Sequence, residues 1–204
     1  MRLRRFGGGR PGVVEEGRFY SSIGTASGRW RVTSVASVAG ESLEPAESLD
    51  VQNAYVPDLP SGARWVLRGV TSNQRYVTRS EQSSLAAVQE GLGRPDATCA
   101  AMIPMSKSAE WWALTQDERR EIFESRSAHI VTGLRYLPAV ARRLHHGRDL
   151  GEPFDFITWF EYAPSQASAF EELVTVLRRS EEWNYVVREV DVRLVRADAG
   201  TAKG

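Results

Sequence analysis

The sequence predicts an α+β fold, an antiparallel sheet with helices over one face, and three observations carry that prediction. Stretches rich in β-branched and aromatic residues alternate with stretches of helical periodicity. Their order is strand, strand, helix, strand, helix pair, strand, helix, strand, and the last part is βαβ-like with antiparallel character. Two capping boxes, at Thr78 and Thr115, mark helix starts. With helices on one side only, the other sheet face would need a partner or a ligand.

Residues 1–17 are rich in Gly and Arg and are expected to be a flexible N-terminal segment, with one domain over 18–204. The span Arg29 to Val38 mixes β-branched and small residues in rough alternation and predicts a strand. Gly40 to Ala63 shows little periodicity and predicts a long surface loop. Arg64 to Thr71 is a second strand, and Ser72–Arg75 turns the chain.

A helix then opens at Thr78, where Glu81 lies three residues on. Leu85, Val88 and Leu92 mark its buried side, and Gly91–Gly93 stops it. Ala97 to Met105 is a third strand. The Thr115–Glu118 box opens a helix through Ile122, Phe123, Arg126 and Ile130 toward Tyr136. Pro138 lacks an amide hydrogen and disfavours α geometry at Leu137, so the helix breaks and restarts toward His146. Phe154 to Tyr162 is an aromatic strand bounded by Pro153 and Pro164. Ser165 to Arg179 is an amphipathic helix burying Phe170, Leu173, Val174 and Leu177. Tyr185 to Val195 alternates apolar and charged residues and predicts a half-exposed last strand.

The totals exclude several classes. The 204 residues carry 26 Lys plus Arg and 26 Asp plus Glu, without the cationic excess that bulk nucleic-acid binding needs. One cysteine, Cys99, allows no internal disulfide and no CxxCH haem attachment. The basic N-terminus lacks the apolar core of an export signal, and no run is long enough to span a membrane. These features predict a soluble cytoplasmic protein. GxGxxG, P-loop, GxSxG and HExxH patterns are all missing from the sequence.

The stretch Lys107 to Arg148 holds all 3 histidines, a Trp-Trp pair and Pro138. His129 shares a helix row with Gly133, which would let a flat group approach the backbone. On pattern alone an ordinary hydrogen-bonded histidine stands ahead of a ligand. Arg142, thirteen residues on, would lie about 20 Å away on a straight helix. The break at Pro138 could bring it back to face His129, although on pattern alone a surface arginine fits better. His145 and His146 project about 100° apart on a helix and make a poor metal pair; a surface or capping role is expected. Trp111 and Trp112 read first as core packing at a helix entrance, and Glu181–Glu182–Trp183 as a solvated turn.

The segments WVLRGVTSNQRYVTR, GLGRPDAT, IPMSKSAEWWALTQDERR, IFESRSAHIVTGLRYLPAVARRLHH, RDLGEPFDFITWFEY and EEWNYVVREVDVRLV closely resemble the chlorite dismutase family, in its short-chain branch. The similarity runs from about Trp65 to Val195, with a weaker echo at Trp30–Leu43. It implies a ferredoxin-like dimeric α/β barrel with a truncated N-terminal half, a homodimer, and one non-covalent haem b per subunit. By position, His129 resembles the proximal iron ligand and Glu182 its hydrogen-bonded acceptor. Arg142 resembles the distal arginine and Gln89 its gate. Asn73, Tyr76 and Lys107 resemble the haem-propionate contacts, and Trp111 and Trp112 the tryptophans near the haem and the subunit contact. Leu144 and Thr158 are candidates for the distal wall.

The resemblance implies conversion of chlorite to chloride and dioxygen through a ferryl intermediate and a transient hypochlorite. Two alternatives stay open. One is the sister branch that decarboxylates coproporphyrin-iron, which resembles this chain but lacks the distal arginine. The other is a haem-handling protein with weak peroxidase activity and no chlorite role. Neither nucleic acid nor membrane is implied as a partner.

Overall fold

The computed structural model describes residues 18–71, 77–88 and 91–197. Eight antiparallel strands close into a barrel in the order β1-β3-β2-β8-β5-β7-β6-β4. The strands are β1 (Phe19–Thr25), β2 (Trp30–Ala39), β3 (Ser48–Gln52), β4 (Trp65–Val70), β5 (Cys99–Lys107), β6 (Val140–His146), β7 (Phe156–Tyr162) and β8 (Val186–Arg196). The helices are α1 (Arg79–Val88), α2 (Ala109–Ala113), α3 (Gln116–Arg120), α4 (His129–Arg135) and α5 (Ala167–Arg178), with a π-helical turn at Glu121–Arg126.

The second half is a complete βαββαβ unit. β5 leads through α2–α4 to β6, β6 turns into β7, and β7 leads through α5 to β8. The first half, β1 to β4, has no helix between its strands, which is the truncation the sequence suggested. Two strands missing from the sequence reading belong to this half. β1 begins at Phe19, just after the Gly- and Arg-rich stretch of the sequence, and β3 lies inside the span expected to be a loop. β3 is only 5 residues long and is held by neighbours on both sides, Ser48 pairing with Thr25 and with Arg31. Such a strand is specified by long-range pairing rather than by its own periodicity.

Strand alternation sorts two cores. Trp30, Leu49, Leu67, Met102, Trp159 and Leu194 fill the barrel. Ala101, Ile103, Phe160, Phe170, Leu173 and Leu177 pack outside it, under the helices. The inner sheet face is therefore covered by the chain's own strands, and the space for a ligand lies on the helix-covered face. Closure of the sheet overturns the expectation that the helix-free face would need a partner.

The second correction concerns Pro138 to His146, where a strand, β6, stands in place of a second helix. The preceding helix is also interrupted. It passes through the π turn to Ala128, whose φ of 49° is left-handed, before α4 begins. Thirdly, β8 does not alternate through its middle, where Glu189 to Val192 are all buried, because Glu189 and Asp191 lie under α5 and accept hydrogen bonds from Arg178 at 2.6–2.8 Å. Val88 is exposed rather than on the buried side of α1, while Leu85 is buried as expected.

α1 is fixed at its start as the sequence predicts. Thr78 N–H donates to Glu81 Oε2 at 2.6 Å, and Glu81 N–H donates to Thr78 Oγ1 at 3.3 Å. Arg120 of α3 also donates to Glu81 Oε1 at 2.8 Å. That hydrogen bond is the main reason the Glu81 carboxyl is lowered to about 2. A carboxyl lowered by folding stabilises the fold above its ordinary range and loses that effect as pH falls from 4.5 toward about 2. Both side chains keep some solvent contact, so Glu81→Gln is expected to cost roughly 1 kcal/mol at pH 7. Urea midpoints should show that difference shrinking below pH 4.5; a constant gap would remove the ion pair as its cause.

Candidate functional site

A cavity of about 350 Å³ lies between the outer face of β5, β6 and β7 and the helices α1, α4 and α5. That size is ordinary for a small-molecule site. Its walls are mainly apolar, with Leu85, Ile103, Phe123, Phe160, Val174 and Leu177 among them.

His129 is the first residue of α4 and borders the cavity. The left-handed turn at Ala128 sets the direction of the helix. Because Ala128 has no capping side chain, Glu124 performs that task by accepting from Ile130 N–H at 2.7 Å. Phe123 stacks on the imidazole, with centroids 4.3 Å apart and planes at 21°. His129 Nδ1–H donates to Glu182 Oε2 at 2.7 Å. Nε2 is then the ring nitrogen left to bind a ligand.

Glu182 is a buried carboxylate on a short 3-10 turn, Glu181–Tyr185. Its other oxygen accepts from Lys107 Nζ at 2.9 Å, and its carbonyl accepts from the same ammonium at 3.1 Å. Burial would raise this carboxyl, but the charges of His129 and Lys107 and their hydrogen bonds outweigh burial and hold it well below the usual range. Glu182 N–H donates to Ser127 Oγ at 2.9 Å, fastening the turn to the start of α4. The solvated turn read from Glu181–Glu182–Trp183 is thus corrected: Glu182 is enclosed, and Trp183 borders the cavity.

Lys107 was expected at a propionate. The structure corrects that role, because its ammonium is buried on Glu182 and lies 4.8 Å above the Trp111 ring and 5.3 Å above that of Trp183. The two neighbouring tryptophans separate. Trp111 is buried and borders the cavity. Trp112 stands behind the wall, donating to Asp155 Oδ2 at 3.0 Å and stacking on Phe156.

Arg142 reaches the same cavity from β6. Its guanidinium lies against Gly133 of α4, where an added Cβ would sit 2.8 Å from Cζ. A bare backbone patch one turn from His129 is a cradle that any larger residue would fill. Burial lowers the Arg142 pKa, yet guanidinium keeps its charge at any pH the protein meets. Leu144 and Thr158 also border the cavity, and Leu144 is exposed. Asn73, Tyr76 and Gln89 lie outside the described residues.

The surface or capping role expected of His145 and His146 is also corrected, since both are buried. His145 points into the barrel and stacks on Tyr20 at 4.4 Å, while His146 borders the cavity. Strand alternation separates them. Residues the sequence did not single out include Glu189, which accepts from Trp183 Nε1 at 2.8 Å and steadies the ring beside His129. The alternation of β8 carried no sign that its charges would be enclosed by α5.

Among the described residues no three His, Cys, Asp or Glu side chains converge as a bare metal site. One imidazole, backed by a carboxylate and bordering a mainly apolar cavity that Arg142 also enters, suits a metal that brings its own macrocycle. The residues therefore fit haem.

A family profile described as chlorite dismutase matches residues 61–197. The chlorite dismutase of Ideonella dechloratans is 33% identical over 129 residues, covering 60% of this chain and 41% of that protein. The chain thus spans about two fifths of the length of that curated relative. Among solved structures, a dimeric chlorite dismutase from Nitrobacter winogradskyi is 57% identical, with a TM-score of 0.81 over 87% of this chain and 99% of that chain. A mutant chlorite dismutase from Candidatus Nitrospira defluvii shares the fold at 20% identity, with a TM-score of 0.63 over 92% of this chain and 95% of that one.

Proposed function

Because the chain belongs to the chlorite dismutase family, we propose that it is a haem b enzyme converting chlorite to chloride and dioxygen. One haem is held non-covalently in each subunit of a cytoplasmic homodimer. The observation that carries this reading is the convergence of His129 and Arg142 on one cavity from α4 and β6. The dimer rests on the 57% identical dimeric relative. No helix of the described residues is long and apolar enough to cross a membrane.

When bound, haem supplies an iron centre for oxygen-atom transfer from an oxyanion of chlorine. The protein's own residues set the conditions for it. Glu182 accepts the hydrogen bond from Nδ1–H of His129, fixing the tautomer and making Nε2 a stronger donor. Lys107 holds Glu182 ionised and in place. Arg142 is a fixed positive charge at the cavity; it draws chlorite in and retains the chlorine fragment until both oxygens have left as dioxygen. The apolar walls exclude water from that fragment. Asn73, Tyr76 and Gln89 remain proposed from the family resemblance, as propionate contacts and gate.

Arg142 favours this reaction over the coproporphyrin-iron decarboxylation of the sister branch, which lacks that arginine. The test is dioxygen release, followed on an electrode after mixing the haem-loaded protein with chlorite. Wild type should release dioxygen, and Arg142→Ala should release it roughly ten to a hundred times more slowly, the worth of a charged hydrogen bond. Haem retention without dioxygen release would favour a haem-handling role. Haem occupancy and spectrum unchanged in His129→Ala would remove His129 as the ligand.

A further inference from the structure

Strand β8 carries a buried charge that the arrangement above does not explain. Glu189 is fully enclosed, and its two oxygens serve different partners. Oε1 accepts from Arg178 Nε at 2.8 Å and Nη2 at 2.6 Å. Oε2 accepts from Trp183 Nε1–H at 2.8 Å. Fastening α5 to β8 does not require this carboxylate. Arg178 also donates to Asp191 Oδ2 at 2.8 Å, and Arg193 joins Asp191 to Glu171 of α5. An enclosed ion pair adds little stability over apolar residues of similar volume. The reason for a carboxylate here lies on its other side, at Trp183.

Trp183 follows Glu182 on the turn Glu181–Tyr185. An indole N–H can only donate, so Glu189 sets both the place and the tilt of the ring. The Lys107 ammonium lies between this ring, at 5.3 Å, and that of Trp111, at 4.8 Å. A carboxylate on the indole N–H makes the ring richer in electrons and its hold on a cation stronger. Lys107 in turn donates to the carboxylate and the carbonyl of Glu182. The Trp183 ring is also nearly parallel to the His129 imidazole, with planes at 18° and centroids 6.5 Å apart. A chain of contacts thus runs from Arg178 through Glu189, Trp183, Lys107 and Glu182 to His129.

We propose that Glu189 is a positioning residue for haem binding: through Trp183 it places Lys107 and Glu182, and so aims His129. The proposal rests on the haem reading. Only a carboxylate serves both donors, because an amide in its place would turn its NH2 toward either Arg178 or the indole N–H. Glu189→Gln therefore breaks the chain at almost constant side-chain volume.

The cofactor-free full chain is titrated with haemin as wild type, Glu189→Gln, Trp183→Phe and the double variant. Glu189→Gln should weaken haemin binding roughly tenfold. Trp183→Phe, which removes the donor and leaves Glu189 on Arg178, should weaken it by a similar factor. With Trp183→Phe already present, Glu189→Gln should change affinity by less than about twofold. The Trp183 indole N–H resonance, identified by its loss in Trp183→Phe, should move upfield in Glu189→Gln. Wild-type affinity in either single variant would overturn the proposal. So would an equal loss from Glu189→Gln in both backgrounds, which would show that the ion pair acts on the fold and not through Trp183. An unmoved indole resonance would overturn it too, by removing Glu189 as the acceptor. If wild type binds no haemin, the haem reading itself fails and this role falls with it.

Discussion

Glu182→Ala is expected to lower folding stability by about 3–5 kcal/mol, because it leaves the Lys107 ammonium buried without a counter-charge. The same change removes the acceptor of His129 Nδ1–H. Imidazole orientation then relaxes, and haem affinity should fall roughly ten- to a hundredfold. Urea denaturation reads the first effect and haem titration the second. Lys107→Met in the Glu182→Ala background should recover most of the stability, since the uncompensated charge is gone, and none of the haem affinity. A stability loss below about 1 kcal/mol would mean that Lys107 escapes to water in the variant. In the loaded protein Glu182→Gln should raise the iron reduction potential, because a neutral amide withdraws the push of the carboxylate on the imidazole. An unmoved potential would remove Glu182 from any electronic role.

The second large effect is acid lability from His145. Burial lowers its pKa to about 4, helped by the charges of Arg143 and His146. His145 Nε2 is enclosed without a hydrogen-bond partner among the described residues, and the ring stacks on Tyr20. The folded protein holds this imidazole neutral, whereas the unfolded chain protonates it from about pH 6.5. Stability is therefore full above pH 6.5 and falls as the pH drops toward 4. At 1.36 kcal/mol per pH unit the loss is about 3 kcal/mol. His145→Phe keeps the stacking partner and removes the titration. Its unfolding free energy should be nearly flat between pH 6.5 and 4, where wild type declines. Parallel curves would show that His145 is not the group responsible. The window lies above that of Glu81, so the two contributions separate.

The strands rich in aromatic and β-branched residues were legible in the sequence because they bury alternate residues on fixed faces. The capping boxes at Thr78 and Thr115 were legible because their chemistry is local. β3 was not, since its pairing partners lie at Thr25 and Arg31. The segment Val140–His146 could be mistaken for helix because its residue types suit either state, and its partners on β7 decide between them. At the site, the positions of His129, Glu182 and Arg142 came from family resemblance; spacing alone left the ordinary readings ahead. What neither supplied was the commitment of Lys107 to Glu182, or the burial of His145 and His146. Both depend on which neighbours the barrel brings to the two faces of the sheet.

The neighbouring histidines of β6 also bear on how this chain tolerates length changes. His145 belongs to the barrel interior and His146 to the cavity, a division made by one residue of strand alternation. A single-residue insertion or deletion in Val140–His146 would exchange those addresses. It would turn Arg142 inward toward the packed core and present an interior residue to the ligand. Variation at this site can therefore proceed by substitution along β6, while indels are confined to the turns at its two ends.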